Sequence, residues 1–275
     1  MSRSRPTAKN PATRFLQWKG GAEKIAETVN GKKTERYEGG KLTYYDKENG
    51  IDIEVGLPFS FLVLDTLHTI TGFNESEKSG FWSNEVRNLK NEILVVRTKS
   101  GIKAKGTYDQ IKDQIKSIGA KYTQSVYIAF KDDTNELIIG HIKIAGSALS
   151  AWIEFQKKFN VDKCAVFITD EPKLEKKGSN YYFSPVFEGQ NVSDATNAEA
   201  DKLDEQLQVY LDTYLAQRPA EDDGYATSAD ELEEIEDEPV ADDASDAPAE
   251  EPAEAEAPKA AEPEQGKINL SDVPF

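Results

Sequence analysis

Residues 219–275 constrain this chain more than any other stretch, because they lack the means to fold. They hold 20 acids against only Lys259 and Lys267, a net charge of −18. The whole chain of 275 residues carries −17, so residues 1–218 are left at +1. Large apolar side chains are few between Pro219 and Gly266. Ordering the backbone costs about 1–2 kcal/mol per residue, and no buried surface there offsets it. Self-repulsion and recurrent proline extend such a segment. The expectation is a disordered acidic tail over 219–275, behind a folded body.

The tail closes with Ile268-Asn269-Leu270-Ser271-Asp272-Val273-Pro274-Phe275, a short apolar plug on a polyanion. Pro274 stiffens the chain and removes a donor, Phe275 offers a ring, and a carboxylate on it meets basic side chains. This ending resembles the C-terminal tip of bacterial single-stranded-DNA-binding proteins, an acidic tail closed by Asp, an aliphatic residue, Pro and Phe. The resemblance covers four residues and the character of the tail. Where that family usually has several acids before the aliphatic residue, Asn269, Leu270 and Ser271 precede Asp272 here. The resemblance implies that Asp272, Val273, Pro274 and Phe275 dock on replication and repair proteins, with Asp272 facing a basic ridge. The bland counterpart is a solubilising tail with an accidental tip.

The body has room for one sizeable domain. A single cysteine, Cys164, excludes an internal disulfide and fits a reducing compartment. No run of about 18 apolar residues occurs, and the basic N-terminus lacks a secretory signal's apolar stretch. The expected location is the cytoplasm, that of the host if the chain is phage-encoded.

Residues 1–20 read as a flexible basic arm, with Arg3, Arg5, Lys9, Arg14 and Lys19 and no acid. In it Trp18 either stacks on bases or anchors the arm to the core. A short helix is expected over 22–29. From Lys41 to Val55 the period is two, a hairpin with Ile51, Ile53 and Val55 inward and Asp52 and Glu54 outward. Residues 57–70 form a near-continuous apolar run, a central strand whose His68 reads as a structural histidine. A second hairpin at 93–106 sets Arg97, Lys99, Lys103 and Lys105 outward around a tight turn. They read either as a phosphate rail or as an aggregation-blocking edge. Trp82 precedes it as a further stacking ring. Thr107 and Gln110 begin a helix with Ile111, Ile115 and Ile118 on one face, ended by Gly119.

Residues 121–131 alternate again. Lys121, Thr123, Ser125, Tyr127, Ala129 and Lys131 share a small, polar and basic face with one ring in the middle, the composition of a base-stacking platform. Residues 137–145 continue the sheet with His141 and Lys143 outward. A helix capped by Ser147, strands at 164–170 and 181–187 split by a basic loop at 173–177, and a stripe from Leu203 to Leu215 follow. That last stripe packs either on the body or on a second subunit.

This order predicts an α+β chain, mainly β, with an OB-fold-like barrel core. The divisions are the arm at 1–20, the barrel with its extension at 21–188, a helix at 189–218 and the tail at 219–275. An enzyme has little to stand on. Gly101 to Gly106 has phosphate-loop glycine spacing with Thr107 where the lysine belongs, and the chain has only two histidines. Asp132-Asp133 reads as a turn ahead of a metal pair, and no cofactor or metal is expected. The predicted function is single-stranded-DNA binding without strong sequence preference in replication, recombination and repair, in a phage or similar replicon. DNA contact is expected at Arg97, Lys99, Lys103, Lys105, Lys121, Tyr127, Lys131, Trp82 and Trp18. The rivals are a phage strand-annealing protein and an acidic DNA mimic or adaptor that binds host proteins.

Overall fold

The computed structural model describes residues 9–29, 32–46 and 49–216. The acidic tail, the tip at 272–275 and the start of the basic arm lie outside the described residues. The elements run β1 (Arg14–Val29), β2 (Lys32–Asp46), β3 (Ile51–Val55), β4 (Phe59–Asn74), β5 (Ser79–Trp82), β6 (Leu94–Thr98), β7 (Gly101–Gly106) and α1 (Tyr108–Ser117). They continue with β8 (Lys121–Lys131), β9 (Leu137–Ala145), α2 (Gly146–Lys158), β10 (Cys164–Ile168), β11 (Lys173–Lys177), β12 (Asn180–Ser184), β13 (Phe187–Asn191) and α3 (Asp194–Ala216).

β4 and β8 are the spine. They pair antiparallel from Leu62 opposite Ala129 to Thr71 opposite Lys121, with one irregularity between Val63 and Asp65. Around them the order is β11-β12-β1-β9-β8-β4-β5-β6-β7, antiparallel except for the parallel pair of β1 and β9. β2 and β3 branch from β1, while β10 and β13 branch from the start of β4. β7 and β11 end the order without pairing with each other, so the sheet is open. The mainly β class with helices holds; the OB-fold-like barrel does not. A barrel encloses its core within one sheet, whereas here helices cover an open one.

One face carries Leu16, Val126, Ile128, Phe130, Ile142 and Ile144, on which α2 lays Trp152 and Phe155. Further along, α1 sets Ile111 and Ile115 against Ile70, Phe81 and Val96. The Thr107 N–H donates to Gln110 Oε1 at 2.9 Å to start α1, and Gly119, at φ +82°, ends that turn. The opposite face is covered by α3. Ala200 packs with Leu62, Ala129 and Phe167, and Leu207 and Leu211 pack with Leu67, Tyr127 and Ile139. The stripe from Leu203 to Leu215 thus packs on the body.

Four local expectations change. The helix expected over 22–29 is strand, part of a hairpin with β2, and the arm enters the sheet from Arg14 onward. The loop at 173–177 is β11. Ala145, rather than Ser147, is the N-cap of α2. In the hairpin of β2 and β3, Ile53 and Val55 are half-buried but Ile51 is 54% exposed at the strand's end. Among the described residues no helix is long and apolar enough to cross a membrane.

Candidate nucleic-acid interface

Residues directly opposite each other on neighbouring strands share one side of a sheet. Lys121 on β8 is opposite Thr71 on β4, Thr71 is opposite Trp82 on β5, and Trp82 is opposite Arg97 on β6. At ~4.8 Å per strand this row of four spans about 15 Å. Lys105 stands on the same side opposite Val95, and Lys143 opposite Ser125. Lys99 is exposed in the turn between β6 and β7. Phe81 and Val96, the residues next to Trp82 and Arg97, are buried under α1. That burial commits their neighbours to the opposite side. Arg97, Lys99, Lys105 and Lys143 make no ion pair among the described residues.

Lys103 differs from its neighbours. The β6–β7 ladder is irregular between Val96 and Arg97, and Lys103 pairs with Glu77. Thr98 Oγ1 and Ser100 Oγ donate to the same carboxylate at 2.6 and 2.8 Å. The Lys103 ammonium, helped by the two hydroxyls, holds the Glu77 carboxyl down at about 2. One cation of the expected rail is therefore already neutralised.

Tyr127 lies on the predicted face of β8, but α3 closes over it and leaves it 2% exposed. Its hydroxyl donates to Glu85 Oε2 at 2.9 Å, and burial raises its pKa. Ser125 Oγ bonds both Glu85 and His141 Nε2, while the Glu85 N–H donates to Tyr214 Oη at 3.2 Å. With Ser125 donating to the carboxylate, the imidazole carries its proton on Nε2 and leaves the buried Nδ1 without a partner. Tyr127 is thus no stacking ring, and His141, expected outward, is buried. Polar residues at alternate positions serve a network that clamps α3, a covering that period alone does not reveal.

Two more expected contacts separate from the row. Trp18 packs against the core under α2 and donates from Nε1 to the Phe183 carbonyl at 2.9 Å, so the anchoring reading holds. Lys131 is ten residues from Lys121 along β8, about 33 Å away, with α3 between them. Asp132 Oδ1 accepts from the Thr134 N–H at 2.9 Å and the Glu136 N–H at 3.1 Å, and Asp133 pairs with Arg14 at 3.0 Å. That pair of acids is turn structure. His68 Nδ1 meets Tyr122 Oη at 2.7 Å, the structural role expected. On the β1–β3 side Asp52 pairs with Lys19, and Glu54 with Lys41 at 2.6 Å, so charge there is balanced. Lys143 joins the row only through the β8–β9 register, and its outward direction on β9 is the one sequence signal for it.

Burial holds the His141 pKa down at about 3. An unfolded histidine titrates near ~6.5, so the unfolded state binds the proton first as pH falls. The contribution of neutral His141 is complete above ~6.5 and drains away between there and about 3, with about 2 kcal/mol lost by pH 5. Urea midpoints at pH 7 and pH 5 should fall more for the wild type than for His141→Gln. The comparison matters because burial lowers His68 too, and His68 titrates in both proteins. An equal fall in the two proteins would show that His141 is not held neutral.

No family model, no curated protein and no solved structure matches the chain.

Proposed function

We propose that the chain binds single-stranded DNA on the side of the sheet marked by Trp82, Arg97, Lys99, Lys105, Lys121 and Lys143. By this reading its tip recruits replication, recombination or repair proteins, and it catalyses no reaction. The observation that carries the reading is the row Lys121–Thr71–Trp82–Arg97, a ring between cations on a side that no helix among the described residues covers at that end. A ring between cations suits a strand whose bases are free to stack and whose phosphates need neutralising. The Asp272-Val273-Pro274-Phe275 ending supports the recruiting part through its resemblance to the bacterial tips.

Fluorescence titration of the full chain with labelled oligonucleotide, single-stranded and duplex, tests the reading. Single strands should bind tighter, because a duplex keeps its bases from Trp82. With Arg97, Lys99, Lys105 and Lys143 on phosphates, log K should fall against log salt with a slope of about −2.8. Glu77→Gln removes a carboxylate and frees Lys103, so the slope should steepen by about 0.7 and low-salt affinity should rise several-fold. Equal binding of both forms, or no response to Glu77→Gln, would count against this face. Binding of neither form would favour the acidic-adaptor reading.

A further inference from the structure

The turn between β6 and β7 holds an anion that belongs to the chain itself. Thr98 Oγ1 and Ser100 Oγ donate to Glu77 Oε2 at 2.6 and 2.8 Å, and the Lys103 ammonium meets Oε1. Glu77 comes from the loop between β4 and β5, where Glu75, Ser76, Glu77 and Lys78 are all exposed. The side chains of Lys103 and Glu77 are each 27% exposed, so the contact is reachable from water. Lys78 holds φ +47°, uncommon for a residue with a side chain. Contacts, rather than backbone preference, keep this loop in place.

A carboxylate fills this site unevenly. Three donors face two oxygens, and one oxygen takes both hydroxyls. Charge is uneven too. Lys99, between the two hydroxyl residues, is exposed and makes no ion pair among the described residues. Glu75, the other acid of the loop, is already paired with Lys78 at 2.6 Å. Two cations therefore stand beside one negative charge. A phosphate monoester carries about −1.5 to −2 at neutral pH and three strong acceptor oxygens, one for each donor. A phosphodiester within a strand carries a single charge, as Glu77 does, and has no advantage over it. Thr98 also follows directly on Arg97, the cation opposite Trp82 in the proposed site.

We infer that Thr98, Lys99, Ser100 and Lys103 form a receptor for the terminal phosphate of a single strand, with the Glu77 carboxylate as the placeholder that the phosphate displaces. The inference rests on the proposed DNA binding and adds to it a preference for phosphorylated ends. No covalent bond changes. One anion replaces another, and Glu77 returns to water with its exposed loop. The contact holds the Glu77 carboxyl down at about 2, so the resident anion is a strong competitor and the second charge of the monoester decides the exchange.

Fluorescence titration of the full chain with one oligonucleotide sequence in three forms measures it: 5′-phosphate, 3′-phosphate and hydroxyl at both ends. One phosphorylated form should bind about threefold tighter than the hydroxyl form or better, the second charge being the source of the gain. The same phosphate capped as its methyl ester carries one charge and should lose that gain. Lys103→Gln should erase the difference between the forms and leave affinity for the hydroxyl form within about twofold. Glu77→Gln should move the other way and tighten the phosphorylated form by about tenfold, a gain that misfolding does not produce. A chain that binds no form fails the DNA reading itself. Equal binding of all three forms, in a chain that does bind single strands, overturns this inference alone, and so does a difference that survives Lys103→Gln. Thymidine 5′-monophosphate competing as well as the phosphorylated oligonucleotide would overturn the assignment to a strand end.

Discussion

Trp82→Ala combined with Arg97→Ala should weaken single-stranded-DNA binding by about tenfold to several hundredfold and flatten its salt slope by about 0.7. The two residues are direct partners across β5 and β6, on the side away from α1. Base stacking on one ring contributes about 1–3 kcal/mol, or roughly five- to 150-fold, and the lost cation adds a salt-dependent factor. Neither residue belongs to a core cluster, so the variant should keep its unfolding free energy, read by urea titration, within about 0.5 kcal/mol of the wild type. Tyr127→Phe is the contrasting change. It removes the hydroxyl donated to Glu85 and should lower stability while leaving oligonucleotide affinity in place. Unchanged affinity and slope in the folded double variant would remove the row from the site. Loss of affinity in Tyr127→Phe at full folding would return the hydroxyl under α3 to it.

The second large effect belongs to residues 219–275, and two truncations separate its parts. α3 runs alongside β4 in the same direction, from Ala200 near Leu62 to Leu211 near Leu67, and Tyr214 reaches Glu85. Ala216, the end of α3, is therefore at the margin of the cationic side, and a segment of charge −18 begins three residues later. Removal of 219–275 should tighten oligonucleotide binding, most at low salt, because it ends competition for Arg97, Lys99, Lys105 and Lys143. Deletion of Phe275 alone leaves that polyanion in place, so DNA affinity should stay within about twofold. That deletion takes away the ring that a pocket would bury. Burial of such a ring is worth about 1.5–3 kcal/mol, so binding to a replication or repair protein should fall by one to two powers of ten. Calorimetry with the partner and fluorescence with the oligonucleotide give the two readings. Partner binding that survives loss of Phe275 would end the docking-tip proposal, and unchanged DNA binding after loss of the whole tail would end the competition.

Where structure is written in local periodicity, the sequence was sufficient. The β6–β7 hairpin, α1 with Thr107 and Gln110 at its start and Gly119 at its end, the alternation along β8 and the stripe of α3 were all legible. In each, neighbouring residues alone choose the conformation. The misreading of β1 was also local. Ala22 to Ala26 is good helix material, but Asn30-Gly31 fills the two positions between Val29 and Lys32. That dipeptide is strongly favoured in tight hairpins and was the available signal.

What covers each face was not legible, because covering is decided by segments far away in the chain. The polar alternation of Ser125 and Tyr127 fits an open platform and a covered network equally well. It became a network because Leu207 and Leu211, about 80 residues on, cover Tyr127 while Glu85 satisfies its hydroxyl. Trp18 could not be assigned until the Phe183 carbonyl stood beside its indole, nor Lys103 until Glu77 did. Barrel or open sheet is a question of whether β7 meets β11, and no residue in either strand encodes its distance from the other. The sequence determined which residues share a side, since that follows from a period of two. Only the tertiary structure decided which sides meet water, because burial depends on partners that periodicity does not name.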